Sequence, residues 1–302
     1  MSQLVSVILP TYNRRSLLPR AIQSVLAQTH RELELIIVDD GSTDGTDELV
    51  QRYAAGDRRL RYLAMPKRGG PAAARNTGIR AAQGSWIAFQ DSDDEWRPSK
   101  LEKQLRAVNS SDTGLVCCGY QLSHFDEPLR DLRPNDSMRT APRMPLEVLY
   151  GLPFIAPTWL VRREVFAQLG GFDETLPNLE DWEFTFRVYP HFGFGFVDEA
   201  LVVKYSSHDS HDANPAARLI SFEQILAKHG ALWKESPPVL AQHWEEIGRL
   251  RLRLGNVAGA RNAFWRAWRL RPMRLKTLLR TLASLPLLRS LASFWKRFRH
   301  GG

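Results

Sequence analysis

Four short apolar runs alternating with helical segments constrain this chain more than any other feature. The runs are Leu4–Leu9, closed by Pro10, then Leu33–Val38, Leu60–Leu63 and Ser85–Phe89. Between them, Arg14–Gln28 carries Leu17, Leu18, Ala21, Ile22, Val25 and Leu26 on one helical face. A helix follows from about Thr46 to Tyr53, and an Ala-rich one from Pro71 to Ala82 that Gly84 ends. Strand and helix alternating at this spacing predict an α/β fold, a mostly parallel sheet flanked by helices. In such sheets ligands bind beyond the carboxyl ends of the strands. The polar clusters Thr11-Tyr12-Asn13, Asp39-Asp40 and Asp91-Ser92-Asp93 follow strands and should line one crevice.

The last cluster is chemically the most pointed. A short apolar run stops at Asp91-Ser92-Asp93-Asp94. Side chains two apart on an extended chain share a face, so Asp91 and Asp93 present two carboxylates to one region. Mutual repulsion makes such a pair sensible around a hard divalent cation, Mg²⁺ or Mn²⁺, that also takes phosphate oxygens. A solvated acidic turn is the competing reading of the motif by itself.

Helix signals continue at Pro98–Val108, and a strand at Leu115–Tyr120. Residues 123–145 are polar, contain prolines and read as a long loop. Pattern returns at Pro157–Val161 and Arg163–Leu169, in a helix over Asn178–Tyr189, and in two strands, Phe194–Val197 and Leu201–Tyr205. A polar, histidine-bearing stretch follows from Ser206 to Pro215, and from about Leu219 everything reads as helix.

With 302 residues and 43% hydrophobic content, the chain can bury one large domain plus an appendage. Its only cysteines, Cys117 and Cys118, are adjacent, which suits a reducing compartment. No basic segment followed by an apolar one marks a signal peptide. No run of about 18 uncharged apolar residues marks a spanning helix. A cytoplasmic location is expected. The net charge of +8 is uneven: from Ala241 onward there are fourteen Lys and Arg against two Glu. The remainder is mildly acidic.

The dinucleotide fingerprint and the phosphate-binding P-loop are both absent. A nucleotide would need other holds. Asp39 or Asp40 could accept a hydrogen bond from a base N–H, and the forked donors of Arg75 suit a phosphate. A surface ion pair is the plainer reading of Arg75.

Five segments in order give the chain a resemblance. They are Val5–Asn13, Ile37–Thr46, Ala74–Ile79, Gly84–Asp94, and Gly170–Glu174 with Leu179–Phe184. Together they span roughly 200 residues and resemble the family 2 glycosyltransferases, which use the GT-A fold. The resemblance implies that Pro10, Thr11, Tyr12, Asn13, Asp39, Asp40, Arg75, Asp91 and Ser92 hold the nucleotide-sugar donor. It implies that Asp91 and Asp93, with Asp94 beside them, bind Mn²⁺ or Mg²⁺. It places Glu180-Asp181 near the acceptor, with Asp181 as base, a role worth about 10²–10⁴ in rate. Helix N-terminal acids stabilised by the dipole are the plainer reading of that pair. His208 falls where relatives carry a histidine that completes the metal shell, and is favoured over His211. Ser206 stands where they carry an arginine, which weakens a phosphate clamp there.

The implied domains are a GT-A domain over 1–218, with a nucleotide half about 1–120 and an acceptor half about 145–218, and a helical basic region over 219–302. The implied reaction is metal-dependent inverting transfer from a nucleoside diphosphate sugar, with UDP the first choice. The acceptor is a hydroxyl of a glycan or lipid-linked acceptor in cell-surface polysaccharide synthesis. A catalytically silent nucleotide-binding scaffold is the second reading, and the intact acidic residues count against it. A nucleotidyltransferase would need a Gly-rich basic loop near the N-terminus, which is lacking. Residues 250–270 resemble one tetratricopeptide-like hairpin. Beyond it, 275–298 interleaves Leu, Phe294 and Trp295 with Arg and Lys, as interfacial helices do, and suggests peripheral attachment to an anionic inner leaflet. No nucleic-acid motif is present, so no nucleic-acid partner is expected.

Overall fold

The computed structural model describes residues 3–123, 130–132, 145–151, 155–205 and 214–272. Most of the long polar loop, His208, His211 and the basic segment 275–302 lie outside the described residues. The chain divides into two compact units, Met1–Thr175 with Glu180–His208, and Leu176–Leu179 with Asp209–Gly302.

The first unit is built on β1 (Val5–Thr11), β2 (Leu33–Asp39), β3 (Leu60–Ala64), β4 (Trp86–Phe89), β5 (Glu95–Trp96), β6 (Thr113–Ser123), β7 (Arg130–Leu132), β8 (Trp159–Arg162) and β9 (Gly193–Tyr205). They form one mixed sheet in the order β3-β2-β1-β4-β8-β6-β9-β5, with β7 on β6. The anticipated parallel part is β3-β2-β1-β4, and β6–β9 is parallel as well. The antiparallel partners of β8, and the pairs β5–β9 and β6–β7, make it mixed.

The helices of this unit are α1 (Leu18–Leu26), α2 (Thr46–Gly56), α3 (Gly70–Ala81), α4 (Lys100–Arg106), α5 (Leu146–Gly151), α6 (Arg163–Leu169) and α7 (Glu180–Val188). Alternation of side chains along β1 splits it between two layers. Val5, Val7 and Leu9 join Leu18, Ile22 and Val25 of α1 and Leu101 of α4 in one core. Ile8 points the other way, to α3. There a Cβ on Gly78 would sit 2.4 Å from Ile8 Cγ2, so only glycine allows this approach of helix to strand. Farther along the sheet Phe89 meets Phe166 and Phe172 edge-on, at 6.0 and 5.2 Å between ring centroids. Burial on both faces explains why these strands read as unbroken apolar runs.

Two local expectations change. The two strands expected at Phe194–Val197 and Leu201–Tyr205 are one continuous β9. Asp198 and Glu199, which looked like a break, are exposed extra residues of β9, which bulges there opposite Cys118 and Gly119 of β6. Pro10 lies inside β1 rather than ending it. Pairing with β4 stops at Ile8, so the missing N–H of Pro10 costs no bond on that side.

The second unit holds α8 (Pro215–Lys234), α9 (Pro237–Arg253) and α10 (Val257–Leu270). The sequence-level hairpin is thus α9 and α10. Asn214 and Asn256 cap α8 and α10 by accepting backbone N–H groups. His243 is fully buried between Trp233 and Phe222, with ring centroids 4.3 and 4.9 Å away. Its Nε2 lies 2.7 Å from the Phe222 carbonyl, so Nε2 carries the proton it donates there. Among the described residues, no helix is long and apolar enough to cross a membrane.

Two predictions follow from this packing. Gly78→Ala should destabilise the chain by about 1–3 kcal/mol in urea unfolding, and pairing it with Ile8→Ala should cost less than the sum of the two. Burial, opposed by the Phe222 bond, lowers the His243 pKa from 6.5 to about 3. Between those values the unfolded chain binds a proton that the folded one does not. Stability should therefore fall as pH drops below about 6.5, by roughly 1 kcal/mol per pH unit. His243→Gln should remove this slope from melts followed by tryptophan fluorescence.

Candidate active site

The carboxyl ends of β1, β2 and β4 bring the three polar clusters to one edge of the sheet, as the alternation predicts. Thr11 and Asp39 are register partners, and Asp40 N–H donates to Thr11 O at 2.9 Å. Asp39 is buried and accepts from Ser42 N–H at 2.9 Å and Tyr62 O–H at 2.7 Å. Asp40, also buried, accepts from Gly69 and Gly70 N–H groups at 2.6 and 2.8 Å and so fixes the start of α3. Every oxygen of the pair thus carries one internal hydrogen bond, leaving further lone pairs for a ligand. Thr11 Oγ1 is buried with no partner. Tyr12 is half-buried beneath the Arg68 guanidinium, 4.0 Å from its ring centroid. Asn13, at φ 50°, accepts from Thr43 N–H at 2.8 Å and donates its own N–H to Ser42 Oγ at 2.9 Å, so the turns after β1 and β2 are stitched together.

Arg75 is where this edge closes. It sits on α3 with only 7% exposure. Nη1 donates to Glu180 Oε1 at 2.6 Å and Nη2 to Asp91 Oδ1 at 3.0 Å. One guanidinium therefore spans the acidic turn after β4 and the acidic start of α7, which lie 89 residues apart in sequence. Burial by itself would weaken its hold on the proton, but Asp91, Glu180 and Asp181 outweigh that and raise its pKa. The guanidinium expected to face a phosphate is, as placed, committed to two carboxylates.

The acidic turn is held from below. Gln90 is enclosed and donates to Asp94 O at 2.8 Å, and Ser92 is buried. Arg20 of α1 donates to the Asp93 carbonyl and lies 3.7 Å from the Tyr205 ring centroid. Burial, then the charge of Asp91, raises the Asp93 pKa above the usual carboxylate range. Asp94 is fully enclosed, and its Oδ1 accepts from Tyr205 N–H at 3.1 Å. Burial pushes its pKa well up, with Lys204 opposing and Asp91 and Asp93 adding.

At α7, Leu179 takes the left-handed region at φ 64°, a costly setting for a branched residue. It turns the chain so that Glu180 is buried against Arg75. Asp181 accepts from Ala156 N–H at 3.3 Å and Trp182 N–H at 2.7 Å. Asn76, next to Arg75, clamps the Gly171-Phe172 segment. It accepts from Phe172 N–H at 2.8 Å and donates to Phe172 O at 2.9 Å and Glu174 Oε1 at 2.8 Å. A Cβ on Gly171 would lie 2.2 Å from Asn76 Oδ1. Arg20, Arg68 and Tyr62 carry no motif, and their contacts were not readable from the sequence.

A divalent cation fits the acidic turn. Asp91 and Asp93 repel each other, and Asp94 Oδ2 is buried without a partner. Among the described residues, no group of three His, Cys, Asp or Glu converges on a point that could hold a metal ion.

Residues 6–170 match the family described as Glycosyl transferase family 2, and the chain belongs to that family. It is 44% identical over 123 residues to TuaG of Bacillus subtilis (strain 168), provisionally named a teichuronic acid biosynthesis glycosyltransferase. That match covers 41% of this chain and 49% of TuaG, so it spans about half of that relative. In fold it is similar to residues 1–349 of S. aureus TarS in complex with UDP-GlcNAc, with TM-score 0.71, 18% identity, and 97% and 91% of the two chains covered. It is also similar to the mannosyltransferase PcManGT of Pyrobaculum calidifontis in complex with GDP-Man and Mn²⁺, with TM-score 0.61, 23% identity, and 96% and 83% covered.

Replacing Arg75 tests the bridge. Arg75→Met should cost about 3–5 kcal/mol in urea unfolding, because buried Glu180 and half-buried Asp91 lose their counter-charge. Adding Glu180→Gln should recover part of that loss.

Proposed function

We propose that this chain transfers a glycosyl group from a nucleoside diphosphate sugar, a UDP-sugar first, to an acceptor hydroxyl with inversion at the anomeric carbon. One observation carries the reading: Arg75 joins Asp91 to Glu180, so a cluster suited to a diphosphate and a cluster suited to an acceptor sit within the span of one guanidinium. Family membership supports sugar transfer as the reaction. The UDP-GlcNAc bound by TarS and the GDP-Man and Mn²⁺ bound by PcManGT support the donor class and the cation. The acceptor, a glycan or lipid-linked glycan of the cell surface, rests on the family resemblance and the likeness to TuaG.

The residues then divide the work. Thr11, Tyr12 and Asn13 and the lone pairs of Asp39 and Asp40 left free of internal bonds face the base and ribose. Asp91 and Asp93 would hold Mn²⁺ or Mg²⁺, with Asp94 behind them and His208 a further candidate ligand. When bound, such a cation offsets charge on the departing diphosphate. Asp181 takes the acceptor proton as the hydroxyl attacks opposite the leaving group. Its backbone bonds to Ala156 and Trp182 fix its orientation for that step. Glu180, the second acid of the pair, is held by Arg75 beside it. A single displacement needs no protein nucleophile, and two carboxylates flanking the bond as in hydrolases are not required.

The test is turnover of UDP- and GDP-sugars with Mn²⁺ or Mg²⁺. Asp181→Asn should lower kcat by about 10²–10⁴ while donor affinity is kept. Asp93→Ala should abolish cation-dependent donor binding in calorimetry. Donor binding in the wild type without any transfer or donor hydrolysis would instead favour a silent scaffold, and no donor binding at all would remove the reading.

A further inference from the structure

In the second unit, α9 and α10 carry a surface that the sugar-transfer reading does not use. Trp265 is 48% exposed and stacks on Trp268, with ring centroids 4.9 Å apart. The Arg266 guanidinium lies 4.6 Å from the Trp244 ring centroid. Arg253, Arg266, Arg269 and Arg271 are exposed and form no ion pair among the described residues. From Ile247 to Pro272 the chain has seven arginines and no Asp or Glu. Leu252 and Leu254, where α9 ends, add exposed apolar surface. Buried Ala260, Ala263, Phe264 and Ala267 use the side of α10 opposite Trp265 and Arg269, so those two side chains are not needed for its packing, and Trp268 lies half-buried at the border.

We infer that this Trp–Arg face docks on an anionic lipid bilayer. The charge demands an anionic partner. A second copy of the chain would set arginines against arginines across a two-fold interface. A single-stranded nucleic acid needs free ring faces for base stacking. Here Trp265 and Trp268 cover each other, and Arg266 covers Trp244. The exposed Trp265 indole beside guanidinium groups suits the headgroup layer, where the ring body meets acyl chains and the cation meets phosphate.

The test is co-sedimentation of the full chain with vesicles of phosphatidylglycerol and phosphatidylcholine, against phosphatidylcholine alone. Binding should require the anionic lipid and weaken with salt. Brominated lipid should quench tryptophan emission, and Trp265→Ser with Trp268→Ser should remove most of that quenching. Arg266→Glu with Arg269→Glu should lower partitioning at least about tenfold. Trp265→Ser alone and Arg269→Glu alone, which lie outside the packed side of α10, should leave circular dichroism unchanged while lowering quenching and partitioning in the same direction. Lys296→Glu with Arg297→Glu is the control for the basic segment beyond. The inference is overturned if only that control loses binding, if the wild type is not quenched, or if single-stranded RNA outcompetes the vesicles. A dimer in gel filtration that Arg266→Glu abolishes would overturn it too.

Discussion

A buried guanidinium between two carboxylates organises the catalytic unit. Arg75 is drawn from the middle of a helix, Asp91 from a turn after a strand, and Glu180 from the start of another helix. A lone charge so enclosed would be costly, and so would either acid without it. The three are tolerable only together. That mutual dependence holds the acidic turn and the Glu180-Asp181 pair at a fixed separation, which any chemistry passing between them needs.

The surroundings serve this arrangement. Gly78 lets α3 lie hard on β1, and Asn76 ties the same helix to Phe172. Arg20 supports the turn from α1 through the Asp93 carbonyl. Asp94 spends one oxygen on β9 and so joins the turn to the far side of the sheet. The acidic residues are thus held by packing from both layers, and the like charges are kept close despite their repulsion.

What could be read from the sequence follows range. β1, β2, β3 and β4 announce themselves because strands buried on both faces are apolar throughout and end at polar residues. The same logic put Thr11, Asp39 and Asp91 on one edge. Partnerships were not legible. Arg75 was open to a phosphate or to an ion pair, and the two carboxylates it bonds are 16 and 105 residues away. β5 is two residues long and exists by pairing with β9, so it has no period of its own. β9 looked broken because Asp198 and Glu199 are polar, yet a strand may carry exposed residues where it bulges against its neighbour. Fold class is written in local pattern, and the wiring of a site is written in contacts that no window of sequence contains.

The two bonds from Asp40 to the backbone of Gly69 and Gly70 reach further than they first suggest. Arg75 stands little more than one turn along the helix they anchor, so a side chain at the end of β2 governs the tilt of a lever whose tip joins the other two acids. The end of β2 and the acidic start of α7 are in this way mechanically in series, and a disturbance at one is delivered to the other through a single rigid helix.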